Sequence, residues 1–153
     1  MTRFLVAGGA ALALGLAGGL LTEVGAWYRG LRKPRLQPPD WLFGPAWLVI
    51  LALAAWSAAT GWSRAPDAAS RQMVVVLFCA NAMLHLLWSP LFFRLRRPDL
   101  ALPEAGLLWL SVLAPMVFLW PFAPGASLAL LPYLAWVSFA IWLNWRIVVL
   151  NPR

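Results

Sequence analysis

One histidine, one cysteine and five scattered acidic residues are all that this chain of 153 residues offers for conventional catalysis. A Ser/His/Asp arrangement, paired carboxylates within one apolar segment, or a Cys/His cluster able to hold a metal cannot be assembled from them, and no glycine-rich phosphate loop is present. Cys79 sits inside an apolar run without a second cysteine to pair with and reads as packing. What the chain has in abundance is indole, with eleven tryptophans. Large flat rings bury much area and stack on planar molecules of differing outline, so they suit the binding of hydrophobic ligands better than covalent chemistry. Trp136, Ala140 and Asn144 are spaced by four and share a helical face, as do Asn81 and His85.

The elements that must position these groups are membrane helices. With 63% apolar and 11% charged residues and a mean hydropathy of +0.77, the chain is neither a soluble globule nor a disordered segment. Five stretches of about 20 uncharged or nearly uncharged residues, roughly 4–26, 41–62, 72–93, 101–122 and 127–150, consume most of it. The expected fold is an all-α integral membrane bundle of five transmembrane helices in a single domain, 1–153, with no room for a soluble catalytic unit. An outer-membrane barrel would need short strands of alternating polarity, which are missing. The first stretch follows Arg3 and resembles a signal peptide in composition, but it runs uncharged to Glu23, longer than a signal core, and reads as a retained span.

The net charge of +7 does not indicate nucleic acid, because the basic residues lie dispersed at the ends of apolar runs. Arg29, Arg32, Lys33, Arg35, Arg94, Arg96, Arg97, Arg146 and Arg153 fall on one side, while Arg3, Arg64 and Arg71 fall on the other. The positive-inside rule then puts the N-terminus outside and the C-terminus in the cytoplasm, as expected for a multi-pass protein of a bacterial cell membrane. Five spans cannot divide into two inverted halves, which weakens a conventional secondary-transporter reading. Ala7, Ala11, Gly15 and Gly19 form a small-residue groove suited to close helix approach, inside the monomer or between two copies.

The loop after the first span carries Trp27, Tyr28, Leu31, Lys33, Pro34, Pro38, Pro39, Trp41, Phe43, Pro45 and Trp47. Its prolines fix φ and remove donors, so the loop is stiff, and its aromatics suit the membrane interface. Its spacing resembles the signature loop of the TspO/MBR family, the tryptophan-rich sensory or translocator proteins. Trp88, Ser89, Pro90, Leu91, Phe92 and Phe93 in the third span, and Pro132, Tyr133, Leu134, Ala135, Trp136, Phe139, Ala140, Leu143 and Asn144 in the fifth, resemble two further blocks of that family. The three blocks occur in the same order along nearly the whole chain.

The resemblance implies a five-helix bundle, usually a homodimer, with a pocket opening toward the first loop that binds tetrapyrroles, sterols and synthetic benzodiazepine-type ligands. By it, Trp47, Trp88 and Trp136 correspond to pocket aromatics and Ala140 to a small residue beside them. His85 and Asn144 join them as candidate ligand contacts, with Trp27, Lys33, Pro34, Pro38, Pro39 and Trp41 over the pocket. His85 stands where the family usually has Asn. Its bland role is a hydrogen bond to a carbonyl or to Asn81; its sharper one is contact with a ligand or with the iron of haem, and one histidine cannot build a protein metal site. Leu36 replaces a usual loop Trp, which would loosen the lid. Trp145 before Arg146 replaces the Tyr of the cholesterol pattern, so sterol binding is not transferred. Glu104 reads as an early acidic residue favoured by the helix dipole.

Two function classes follow. One is a binding, transport or sensory protein for porphyrin-type tetrapyrroles and other hydrophobic ligands, with no obligatory cofactor and with porphyrin or haem as ligand. The other is an enzyme of light-dependent porphyrin breakdown using pocket tryptophans, which nothing in the residues compels. A bare scaffold, with the motifs serving packing alone, is the third alternative.

Overall fold

Prolines open several of the helices and a polar side chain caps one in the computed structural model, which describes residues 1–152; Arg153, one of the basic residues of the C-terminal end, lies outside them. Helix α1 covers Thr2–Leu21 and stops where Thr22 turns extended and its hydroxyl folds back on the Gly18 carbonyl at 2.8 Å. The first span is therefore shorter at its end than the expected 4–26, and residues up to Gly25 leave the helix before a short α2, Ala26–Gly30. A 3-10 turn, Asp40–Leu42, leads into α3, Phe43–Arg64. Helix α4, Ala68–Ser89, starts from Asp67, whose carboxylate accepts from the Ser70 N–H at 2.6 Å. At Pro90 the missing N–H relaxes the chain into a single π-turn, Pro90–Arg94, in which Leu95 N–H donates to the Pro90 carbonyl at 2.9 Å. Pro98 opens α5, Pro98–Leu119, and Pro124 opens the short α6, Pro124–Leu128, that precedes α7, Leu131–Leu150.

The described residues contain no strand, and five helical stretches are long and apolar enough to cross a membrane: Thr2–Leu21, Asp40–Arg64, Ala68–Arg94, Pro98–Leu119 and Pro124–Leu150. The protein is an all-α, multi-pass integral membrane protein.

Helix α5 is the centre of the bundle and packs along both α4 and α7. It buries Ala101, Ala105, Leu108, Val112, Met116 and Leu119, of which Leu108, Val112 and Met116 build the main core with Ile50, Ala54, Tyr133 and Val137. Two buried serines lock the α6 corner: Ser57 donates to the Ala126 carbonyl at 2.7 Å and Ser127 to the Met116 carbonyl at 2.6 Å. Helix α1, by contrast, has no buried residue. Its small-residue face is used within the monomer in part: a Cβ on Gly15 would stand 3.4 Å from Leu51 Cδ1, whereas one on Gly19 would meet nothing within 4 Å.

Glu104 departs from expectation. Because α5 begins at Pro98 rather than near residue 101, Asp99 takes the first-turn place and Glu104 falls inside the bundle. It is 5% exposed, and among the described residues neither carboxylate oxygen has a hydrogen-bond partner.

Candidate functional site

The three sequence blocks meet in space. Trp27 and Tyr28, on the turn of helix that follows α1, lay their rings edge-on against Phe92 of the π-turn at 5.9 and 6.3 Å, and Tyr28 also meets Phe93 at 5.3 Å. The π-turn made by Pro90 swings Phe92 and Phe93 to this position while Trp88, one turn back on α4, stacks on Phe92 at 4.9 Å. Further into the bundle, Trp47 of α3 is wedged among His85 of α4 and Tyr133 and Trp136 of α7, with ring centroids 4.5, 5.7 and 6.4 Å away. All three contacts are edge-to-face, the arrangement preferred by quadrupolar rings.

Tyr28, Trp47, His85, Trp88, Phe92, Phe93 and Trp136 wall one cavity of about 880 Å³ that runs between α1, α3, α4 and α7 and reaches the first loop. Trp47, His85, Trp88, Trp136, Ala140 and Asn144 all contribute to its wall. The opposite wall is α1, where Gly15 and Gly18 give clearance; a Cβ on Gly18 would stand 3.6 Å from His85 Nε2.

His85 is buried with its Nδ1 3.4 Å from the Tyr133 hydroxyl, a long hydrogen bond whose direction depends on the tautomer. The partner is thus Tyr133 on α7, not Asn81 on its own helix: Asn81 donates instead to Ser111 Oγ at 2.9 Å. The Asn144 carboxamide, in the orientation that satisfies both neighbours, donates to the Pro98 carbonyl and accepts from the Leu102 N–H, each at 3.1 Å. It splices into the first turn of α5, so its polar atoms hold helices together while its body forms cavity wall.

The loop closes the cavity with residues other than those expected. Tyr28, Gln37 and Asp40 line it, whereas Trp27, Lys33, Pro34, Pro38, Pro39 and Trp41 do not. The Gln37 amide donates to the Tyr28 hydroxyl at 2.8 Å, and that hydroxyl donates weakly to Asp40 at 3.4 Å. Burial, followed by the Asp40 charge, pushes the Tyr28 hydroxyl up to about 12. Lys33 sits 3.6 Å over the Tyr28 ring, and Asn151 clips the Arg32 backbone through two hydrogen bonds of 2.9 Å. Pro34 and Pro39 shape the loop by accepting from Gln37 N–H and Leu42 N–H, both at 3.0 Å. Trp41 is 70% exposed, and Leu36, at 72%, stands outside the cavity altogether. Trp56 and four glycines of α1, Gly8, Gly15, Gly18 and Gly19, line the cavity as well. The α1 repeat signalled close approach, but its Gly15 faces Leu51, and the glycine beside His85 is Gly18, outside the repeat. Among the described residues no group of three His, Cys, Asp or Glu could hold a metal ion.

The residues that make this arrangement all lie within residues 7–150, which the TspO/MBR family profile matches. The chain belongs to the TspO/MBR family. It is 39% identical over 150 residues to the tryptophan-rich protein TspO of Chlorobaculum tepidum, covering 94% of this chain and 92% of that one. It is 32% identical over 124 residues to the human translocator protein, covering 78% and 73% of the two chains. It is 30% identical over 133 residues to the tryptophan-rich sensory protein of Cereibacter sphaeroides, covering 87% and 82%. As a TspO/MBR protein the chain belongs to a membrane class of sensory and translocator type.

Proposed function

We propose that this protein binds porphyrin-type tetrapyrroles and related flat hydrophobic molecules in the cavity between α1, α3, α4 and α7, and serves as their membrane carrier or sensor. The observation that carries this reading is the cavity wall itself. Trp47, Trp88 and Trp136 face a space of about 880 Å³, at the upper end of the range of small-molecule pockets, roughly 300–1,000 Å³. A planar macrocycle slides between such rings with little polar desolvation; Tyr28, Gln37 and Asp40 offer hydrogen bonds at the loop end, and His85 offers one deeper in the cavity. Ala140 supplies clearance on the α7 side.

The same reading puts the N-terminus outside a bacterial cell membrane and the C-terminus in the cytoplasm, on the strength of the basic residues gathered at the loop end. It takes the working assembly as a homodimer.

Titration of the purified protein with protoporphyrin, in parent and Ala140→Leu forms, tests the site. The Leu side chain overfills the cavity and should weaken binding by about 1–3 kcal/mol while leaving the fold intact. Equal affinities would remove Ala140 from the ligand's path. Anaerobic illumination of the complex followed by mass analysis should return the porphyrin unchanged; a protein-dependent breakdown product would make the protein an enzyme.

A further inference from the structure

Outside the large cavity, a second cleft of about 550 Å³ opens between the first loop and the last two turns of α7. Its rim carries three cations, Lys33 and Arg35 from the loop and Arg146 from α7, and its floor is apolar, formed chiefly by Trp142, Trp145 and Leu36. Among the described residues none of the three cations meets a carboxylate: the ion pairs are Arg94 with Glu23 and Arg97 with Asp99. Lys33 and Arg146 rest instead on aromatic faces, 3.6 Å over Tyr28 and 5.6 Å from the Trp145 ring centroid. Three like charges around one cleft repel one another, and an anion between them relieves that repulsion. The indoles lie at the end of a membrane-spanning helix, at the depth where tryptophan settles among lipid headgroups.

We infer that this cleft is a binding site for one anionic phospholipid, with its phosphate among Lys33, Arg35 and Arg146 and its upper acyl chains against Trp142, Trp145 and Leu36. The apolar floor selects a lipid over free phosphate, which would leave the indoles and Leu36 facing solvent. Leu36 thereby gains a use: 72% exposed and off the cavity, it offers acyl chains an apolar ledge where a bulkier indole would narrow the cleft.

The test is lipid retention, read by native mass spectrometry on the full chain purified from bilayers of phosphatidylcholine with a minor fraction of phosphatidylglycerol. The parent should retain phosphatidylglycerol over phosphatidylcholine. Arg35→Gln with Arg146→Gln should lose that preference by roughly fivefold for each charge removed, about 1 kcal/mol per basic residue near a membrane surface. Arg35→Lys with Arg146→Lys should keep most of it. Arg64→Gln with Arg71→Gln, at the opposite end of the bundle, should keep all of it. If the double Gln form does not fold, each single Gln variant carries the test at one fivefold step. An unchanged preference in the Gln forms, an equal loss in the Lys form or in the opposite-end control, or release of the lipid by excess inorganic phosphate would each overturn the assignment.

Discussion

Helices α1 and α5 are nearly alike as sequences and opposite as structures. One spans 20 residues at a mean hydropathy of 2.0, the other 22 residues at 1.7. Helix α5 buries eight residues between its neighbours, whereas α1 buries none. Helix α1 lies along α3 and is tied by polar contacts at its two ends: Arg3 donates to Ser63 at 2.9 Å, Thr22 shares a hydrogen bond with Ser89 at 3.2 Å, and Glu23 faces Arg94 at 3.7 Å. Between these ties it presents glycine to Leu51 and His85. In a bilayer, where lipid is as apolar as leucine, hydropathy identifies a span but cannot tell a scaffold from a wall; close packing does. By that measure α5 is the scaffold and α1 the outer wall of the cavity.

The comparison can be broken by shortening the same side chain in each helix. Leu119 of α5 is fully buried against Val74, Ala123 and Ala126, so Leu119→Ala leaves a void and should cost about 2–5 kcal/mol. Leu16 of α1 is 71% exposed, and Leu16→Ala should stay within about 0.5 kcal/mol. Thermal unfolding in mild detergent measures both, and equal losses would end the distinction.

A second effect, smaller, sharpens what faces α1. His85→Ala leaves the Tyr133 hydroxyl short of one buried partner, for a loss of about 1–3 kcal/mol. If His85 contacts the ligand edge rather than its metal, ferric haem should show the same Soret band in parent, His85→Asn and His85→Ala forms, with affinity reduced in the Ala form and largely kept in the Asn form. A band peculiar to the parent would put the imidazole on iron.

The number and type of elements were legible because membrane spans announce themselves by length and charge exclusion, and Trp47, Trp88, Trp136 and Ala140 were legible because the motif spacings resemble a known family. What escaped depended on where the backbone departs from a regular helix. Thr22 ends α1 by a side-chain hydrogen bond that hydropathy does not register. Pro98 starts α5 about a turn early, which takes Glu104 out of the first turn, and the face it occupies is buried. The loop residues that close the cavity, Gln37 and Asp40, lie between prolines that looked like the working part, and only the Tyr28 hydroxyl shows why they are drawn inward. His85 was recognisable as a polar group in a span, but its partner Tyr133 stands 48 residues away on another helix.

The smallest effect belongs to the loop end of α1 and appears only in alkali. Tyr28 ionises at about 12 in the folded protein against 10.0 ordinarily, because burial and then Asp40 disfavour the phenolate. Between these values the folded loop keeps a proton that the unfolded one has released, so this contribution to stability is complete below pH 10 and is lost as the pH rises toward 12. Unfolding midpoints for the parent should decline over that window, and Tyr28→Phe should flatten the decline; parallel curves would show that Tyr28 titrates alike in both states.

The central claim is that the flat ligand lies among Trp47, Trp136 and the α1 wall, and quenching of tryptophan fluorescence by bound protoporphyrin tests it most directly. Trp47 and Trp136 line the cavity, while Trp109 lies outside it and donates to Ser138 at 2.8 Å. The account predicts that Trp47→Phe and Trp136→Phe each reduce the quenching and weaken the porphyrin titration, and that Trp109→Phe leaves both at the parent level. Equal quenching and equal affinity in all three variants would contradict it.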